Sequence, residues 1–472
     1  MSEPIAKRLR NRDCEAVQST STVEPTSNQT DDETLKKIPE LDQSNSMYGL
    51  TDECLLDIFQ HLTIGSLYQM ANVCKRFRQI AGQVFARRHQ EFTLKGNWTN
   101  SLLRRALCKF GHVITSIDAS EAYFREQMDT NAIAKYCPTK LEKLTLRHAT
   151  IDCAAFKPLF VRMKELVLDG CDFVGDKHNL FTDCKNLEFL YFDSNEESCE
   201  FVAQKYPKLS ALSFDPNFSS FGTFFKLLAL VPQITDLQIM TMPQDIYISY
   251  VVQIVKNLER LAIEPGMMSS TPEIQTKQVF LQLAKLKQLK KLSLNAGWET
   301  YAKLVKPLAD AFAKGNVALD SLHLTDFKID SKDIKAICNL KTLEDISLDT
   351  IGNATSADLM SLFELPLLTN LILHFGHRST AAAAISADTL TKMIQSAKQI
   401  GELALVGVRN MKIGPKEYDA LLKATVESRN VGTKLTIQIV GGNKTNSFNV
   451  PTNIQQTNIE RLKIVYVDDD DD

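Results

Sequence analysis

An α/β fold is predicted: a small N-terminal three-helix unit, then a horseshoe-shaped solenoid with a curved parallel sheet and outer helices. Three observations carry this expectation. The pattern L-x-x-L-x-L recurs from about residue 113 to the C-terminal region. Amphipathic stretches fill the intervals between its copies. Ahead of it, residues 50–81, LTDECLLDIFQHLTIGSLYQMANVCKRFRQIA, crowd large apolar side chains at helical spacing.

The chain has 472 residues, more than one compact core usually holds, so about two to four domains or one elongated array are expected. It is 44% hydrophobic and 24% charged, an ordinary globular composition. A net charge of −3 argues against a nucleic-acid binder, which carries a basic face. Without a long apolar run or an apolar leader, neither a membrane span nor a secretory signal is expected. The ten cysteines are scattered without a C-x-x-C pair, which reads as free thiols in a reducing compartment.

Residues 1–45 are rich in Ser, Thr, Asn, Gln, Asp and Glu and are expected to be a disordered tail. Within it, Lys7, Arg8, Arg10 and Arg12 are read as part of a solvated tail, with nuclear import as the competing reading. The expected location is cytoplasmic, nuclear or both. Residues 468–472 form an acidic tail.

Residues 113–467 carry about fourteen irregular repeats. Copies include LEKLTL (141–146), MKELVL (163–168), NLERLAI (257–263) and TLEDISL (342–348). The central apolar residues are Ile117, Leu144, Leu166, Leu190, Leu212, Leu237, Leu261, Leu292, Leu322, Ile346, Leu371, Leu403, Leu435 and Leu462, at separations of 22 to 32. This is the period of leucine-rich repeats, four intervals running longer than usual. In a short strand, alternate leucines point to one side. Stretches such as 386–400, with Leu390, Met393, Ile394 and Ala397, return as helices. One strand and one helix cannot bury that face alone, but stacked neighbours make a continuous core. The Asn or Cys expected after the last leucine, which satisfies backbone groups in the turn, is present at Cys171, Asn195 and Asn217 and replaced at Met242 and Gly297.

In the N-terminal unit, Leu55, Ile58, Phe59 and Leu62 mark one helix, Leu67, Met70 and Ala71 a second, and Val73, Cys74, Phe77, Ile80 and Ala81 a third. Three short helices this apolar make either a cap on the solenoid or a module that binds a partner. Leu50, Glu53, Leu55, Ile58, Phe59, Leu62, Leu67, Val73, Cys74, Lys75, Arg76, Phe77 and Arg78 resemble an F-box, placed at residues 46–82. With the repeats behind it, the chain resembles the F-box/leucine-rich-repeat proteins over nearly all its ordered length. The resemblance implies that the F-box docks on a Skp-family adaptor of a cullin-RING ubiquitin ligase through Leu50, Thr51, Glu53, Leu55, Ile58, Phe59, Leu62, Leu67, Val73, Cys74 and Phe77. It implies that the repeats hold the protein to be ubiquitinated.

Three positions depart from the family pattern. Thr51 replaces a proline but is a good helix N-cap, with Asp52 and Glu53 suited to the first turn. Phe77 replaces a tryptophan and lacks the indole donor. Ser66 replaces an aspartate and is expected to cap the second helix. Residues 83–112 are expected to be a helical linker, and Arg87, Arg88, Arg104 and Arg105 are read as a solvated face rather than a phosphate site.

Positions flanking the inward leucines face the concave side. One column gives Arg147, Asp169, Asp193, Asp215, Met240 and Glu264, and another gives Lys143, Glu165, Phe189, Ala211, Asp236 and Arg260. Between them lie Thr145, Val167, Tyr191, Ser213 and Gln238. The carboxylates Glu165, Asp169, Asp193, Asp215, Asp236 and Glu264, with Phe189 and Tyr191, are the candidate site for a basic segment of a partner. The competing reading is a solvated surface, and the C-terminal loops are an alternative contact.

Enzyme signatures are missing: no Gly-x-Ser-x-Gly and no glycine-rich phosphate loop occurs. His374 and His377 read as surface histidines rather than zinc ligands. No cofactor, metal or catalytic residue is expected. The function expected is a non-catalytic substrate-recognition subunit of an SCF-type ligase. The alternative is a repeat scaffold whose degenerate F-box is only a structural cap.

Overall fold

The computed structural model describes residues 49–94, 99–120, 130–194, 199–215, 221–242, 247–265, 273–296, 303–376, 379, 385–396, 399–408, 413–429, 434–440 and 461–467. The tails expected at 1–45 and 468–472 lie outside these residues, as do Asn195, Asn217, Gly297, His377 and Ala397.

The chain divides into two units after Cys54. In the first, Thr51 Oγ1 accepts the Cys54 N–H at 3.4 Å, the N-cap bond that the threonine was expected to make. It opens helix α1 (Asp52–Phe59), whose first turn holds Asp52 and Glu53. Helices α2 (Ile64–Val73) and α3 (Lys75–His89) follow.

The helix boundaries differ from the expectation in two places. Thr63, not Ser66, caps α2: its hydroxyl accepts the Ser66 N–H at 3.2 Å, which puts Ser66 inside the first turn. Val73 closes α2 rather than opening α3, and Cys74 stands between the helices with its sulfur accepting the Phe77 N–H at 3.4 Å. A small polarizable side chain serves there because the cap needs only an acceptor three residues before the amide it satisfies.

Strand and helix then alternate. The order is β1 (Glu91–Thr93), α4 (Asn100–Phe110), β2 (Ser116–Ala119), α5 (Thr130–Tyr136), β3 (Lys143–Arg147), β4 (Thr150–Asp152), α6 (Cys153–Phe160), β5 (Glu165–Val174), β6 (Phe189–Ser194) and β7 (Ala211–Asp215). It continues with α7 (Phe221–Leu230), β8 (Asp236–Met242), α8 (Tyr247–Ile254), β9 (Arg260–Pro265), α9 (Glu273–Phe280), β10 (Lys291–Asn295), α10 (Val305–Gly315), β11 (Ser321–Thr325), α11 (Ser331–Ile337), β12 (Asp345–Ile351), α12 (Ser356–Phe363) and β13 (Asn370–Phe375). Last come α13 (Ala387–Ser396), β14 (Glu402–Val406), α14 (Pro415–Ser428), β15 (Leu435–Val440) and β16 (Leu462–Val467).

Every strand pairs in parallel with its sequence neighbours, β4 excepted, which sits beside β5. This is a leucine-rich-repeat solenoid: the strand order in space is the order in sequence. The expected central residues share one register, Ile117 with Leu144, Leu144 with Leu166, and so on to Leu403. They are buried along that whole run.

Three features extend or correct the repeat reading. The row starts one strand early, because Phe92 pairs with Ile117, so the segment 83–112 carries the first rung of the sheet as well as helices. At the other end, Leu403 aligns with Ile437, and Ile437 with Ile464, rather than with Leu435 and Leu462. A two-residue offset keeps the same face inward, since strand side chains alternate with period two. Helix α13 buries Leu390, Met393 and Ile394 as the helical spacing predicted.

An irregularity inside β5, where the register to β6 shifts between Leu168 and Cys171, shows why the repeat tolerates cysteine for asparagine. Cys171 Sγ lies 3.5 Å from the Leu146 carbonyl and 3.6 Å from that of Asp169, satisfying backbone acceptors across two repeats. Burial pushes its thiol up to about 12, as it does for Cys137 and Cys184. Six of the described cysteines are buried, and none of those described forms a disulfide. No helix among the described residues is long and apolar enough to cross a membrane.

Candidate functional site

The N-terminal helices separate the expected adaptor-binding residues into core and surface. Leu55, Phe59, Leu67 and Phe77 are buried. Phe59 and Phe77 meet edge to face, ring centroids 5.4 Å apart, so phenylalanine fills the aromatic place without needing the indole N–H. These four side chains form the core of the module. Ile58 and Val73 are the opposite case: large apolar side chains 42% and 51% exposed. Leu50, Leu62 and Cys74 are half-buried, and Thr51 and Glu53 are exposed.

The basic residues of α3 are partly structural. Arg88 Nη1 donates to the carbonyls of Gln60 at 2.7 Å and Leu62 at 2.8 Å, satisfying acceptors left open past the end of α1. Arg78 Nε donates to the Ala71 carbonyl at 3.2 Å in α2. At the far end of α3, Phe85 stacks on Phe110 of α4 at 4.4 Å and packs 5.7 Å from Phe92 of β1. The module therefore also covers the first rung of the solenoid.

The second surface is the solvent-facing side of the sheet. Register confirms the columns read from the sequence: Lys143, Glu165, Phe189, Ala211, Asp236 and Arg260 are successive partners. So are Thr145, Val167, Tyr191, Ser213 and Gln238. Arg147 aligns with Asp169, and Asp193 with Asp215. Glu165, Asp169, Phe189, Tyr191, Asp193, Asp215, Asp236 and Glu264 are all partly exposed.

The charges are less uniform than an acidic strip. Glu165 is paired with Lys143 at 2.8 Å, Asp236 with Arg260 at 3.3 Å, and Asp169 with Arg147. Each pair lies between adjacent strands, two of them in one column with Phe189 and Ala211 between them and the third, Arg147–Asp169, in the opposite column. Acidity concentrates instead around Tyr191. Burial, then the carboxylates of Asp169, Asp193 and Asp215, push its hydroxyl up to about 12. Burial, then Asp215, raise Glu264 above the usual carboxylate value. Asp236 is also raised by burial, against the opposing Arg260 and Lys291.

Farther along the same face lies a cluster not singled out in the sequence. His323 Nε2 is 2.8 Å from Asp345 Oδ2, and the Ser321 hydroxyl donates to the same oxygen at 3.0 Å. The His323 hydrogen bond, then Ser321 with it, hold the Asp345 carboxyl below the usual range despite burial. Ser321 and His323 share β11 and Asp345 is the register partner of Ser321, so counting the columns three strands further would have found them. The three groups are not in the order of a hydrolytic triad, since one imidazole nitrogen faces both hydroxyl and carboxylate. Among the described residues, no group of three or more His, Cys, Asp or Glu could hold a metal ion.

Comparison with known proteins adds one domain assignment. Residues 52–91 match the family model described as F-box-like. Among curated proteins no relative matches. Solved structures that match include an internalin from Listeria monocytogenes, at 16% identity and TM-score 0.39, covering 72% of this chain and 82% of that one. Another is the Rad7 and Elc1 complex in yeast, at 12% identity and TM-score 0.41, covering 88% of this chain and 92% of that one.

Proposed function

From an F-box-like domain at residues 52–91 leading into a leucine-rich-repeat solenoid, we propose that this chain is the substrate-recognition subunit of an SCF-type (Skp/cullin/F-box) ubiquitin ligase. The helical module docks on a Skp-family adaptor. The solvent face of the repeats holds the protein to be ubiquitinated, through a basic segment set against Asp193, Asp215, Glu264 and Tyr191. The chain has no chemical step of its own; it raises the effective concentration of a substrate lysine at the transfer centre by positioning.

One observation carries the adaptor half of the reading. Ile58 and Val73 stay exposed on a module whose other large apolar side chains are buried or half-buried, and large solvent-facing apolar residues on a small helical unit suit a partner interface. For the substrate half, the support is the concentration of carboxylates around Tyr191, which favours cationic groups and steers their approach.

The deciding experiment mixes purified full-length protein with a purified Skp-family adaptor and follows co-elution. The wild type co-elutes, and the Ile58→Asp, Val73→Asp double variant, folded by circular dichroism, does not. A wild type that fails to co-elute leaves the alternative, a repeat scaffold outside any ligase. The packing of Phe85 against Phe92 and Phe110 favours that alternative to the extent that the module is a cap.

A further inference from the structure

The middle row of the solvent face changes character along the solenoid. Over β5–β9 it holds Tyr191 beside the carboxylates already described. Over β10–β12 it is polar, holding Ser293, His323 and Ser347, and His323 bonds Ser321 and Asp345 of the neighbouring row. Over β13–β16 the successive partners are Ile372, Ala404, Gln438 and Val465, a row without charge. Val406 extends it on β14, and Ile372, Ala404, Val406 and Val465 are all partly exposed. An acidic, aromatic end and an end whose middle row is uncharged, flanked by the row Asn370, Glu402, Thr436 and Lys463, therefore share one continuous sheet, with the mutually bonded His323, Ser321 and Asp345 between them.

Strand spacing gives the distance between the ends. Asp215 on β7 and Ile372 on β13 are six strands apart, about 29 Å at about 4.8 Å per strand. A helix covers that length with about 19 residues, an extended chain with about nine. An extended chain laid across these rows would leave its own N–H and C=O groups unpaired over the uncharged row, whereas a helix satisfies them internally.

We propose that this face receives one amphipathic α-helix of the partner protein, its basic end over Asp193, Asp215 and Glu264 and its apolar end over Ile372, Ala404 and Val406. The inference rests on the substrate-binding reading above and narrows it to a class: a helix of five turns or more, cationic at one end and apolar at the other. Charge complementarity orients the helix, and burial of its apolar end supplies affinity that salt does not screen.

The test uses a synthetic helical peptide of about 28 residues, long enough for both ends. Lysines occupy one face of its first two turns and leucines the same face of its last two. A peptide of the same composition in shuffled order is the control, and binding to the full chain is read by fluorescence anisotropy. The ordered peptide binds about tenfold tighter or more. Asp193→Lys with Asp215→Lys removes that preference, and so does Ile372→Asp with Val406→Asp. Ile372→Thr with Val406→Thr, which keeps β-branched side chains in the strands, replaces the second pair if it does not fold. Equal binding of both peptides overturns the helix proposal. Loss with the charge variants alone leaves the basic-segment reading standing and overturns the helix. Loss with the apolar variants alone overturns both.

Discussion

The Asp358 carboxylate accepts the Ser331 hydroxyl at 2.6 Å, joining the first turns of helices α11 and α12 in successive repeats. It also accepts the Thr355 hydroxyl at 2.6 Å and the Thr355 N–H at 3.0 Å, closing a capping box. One repeat earlier, Asp333 does the same work: its carboxylate accepts the Asp330 N–H at 3.0 Å and the Lys306 N–H of α10 at 2.9 Å. A buried aspartate in the first turn thus ties each of these two helices to the one before it.

Replacing Asp358 by alanine leaves several donors without their acceptor and is expected to cost about 2–3 kcal/mol. The hydrogen bonds from Ser331 and then Thr355 hold its carboxyl well below the usual range. A depressed carboxylate stabilises the fold fully above its unfolded value of about 3.9 and loses that contribution as pH falls toward the lower folded value. Denaturant unfolding of wild type and Asp358→Asn should therefore differ most near neutral pH and converge in acid. A gap that stays constant down to the acid limit of folding would count against this linkage.

Core and surface positions of the N-terminal module should respond differently. Phe77→Ala removes the edge-to-face partner of Phe59 and should lower stability by about 3–5 kcal/mol. Ile58→Asp changes an exposed position and should stay within about 0.5 kcal/mol while losing adaptor binding. Thermal unfolding beside adaptor co-elution separates the two effects. Equal destabilisation by both variants would mean that Ile58 is core.

Thr51 supplies a cap bond of 3.4 Å, long enough that its removal should matter little. Thr51→Pro is expected to leave adaptor binding unchanged or tighter, as measured by titration calorimetry. Clearly weaker binding would show that the hydroxyl, not the missing ring, sets the start of α1.

Arg88 is expected to be structural. Arg88→Ala strips a charged donor from the carbonyls of Gln60 and Leu62 and should cost about 1–3 kcal/mol. Arg105→Ala, on an exposed position of α4, should be nearly neutral. Matching losses in chemical denaturation would contradict the assignment.

The acidity around Tyr191 can be read directly. With Asp193→Asn and Asp215→Asn, the phenol should ionise below its value of about 12, since two of the three carboxylates that raise it are gone. Burial, the largest cause, keeps it above the ordinary tyrosine value. Ultraviolet titration of the variant against wild type measures the shift, and an unchanged curve would place the carboxylates too far away to act.

Much of the solenoid was legible because two periods coincide. Alternate leucines set the face, and the repeat interval set the partner, so the columns through Glu165, Phe189 and Asp236 could be counted without coordinates. The slip at Leu435 and Leu462 came from KLTIQIV and RLKIVYV, where two successive alternating residues fit the inward row equally well. The ion pairs Lys143–Glu165 and Asp236–Arg260 were implicit in the columns, but their formation depends on side-chain reach, which spacing does not give. The division of Leu55, Phe59, Leu67 and Phe77 from Ile58 and Val73 was not legible. Helical spacing marks an apolar face but not which part of it a neighbouring helix covers.

A parallel sheet ordinarily folds slowly, because its partners lie far apart in the chain. Here each strand on the main path meets only its sequence neighbours, and almost every closure spans a single repeat. Loop-closure entropy therefore stays nearly constant however many strands are added. Growth can begin at one well-packed repeat and spread rung by rung in both directions. Damage should remain local for the same reason. A lesion in β15 should fray its own end of the sheet and leave the helical module at the other end folded, so hydrogen exchange should report graded opening rather than one cooperative transition.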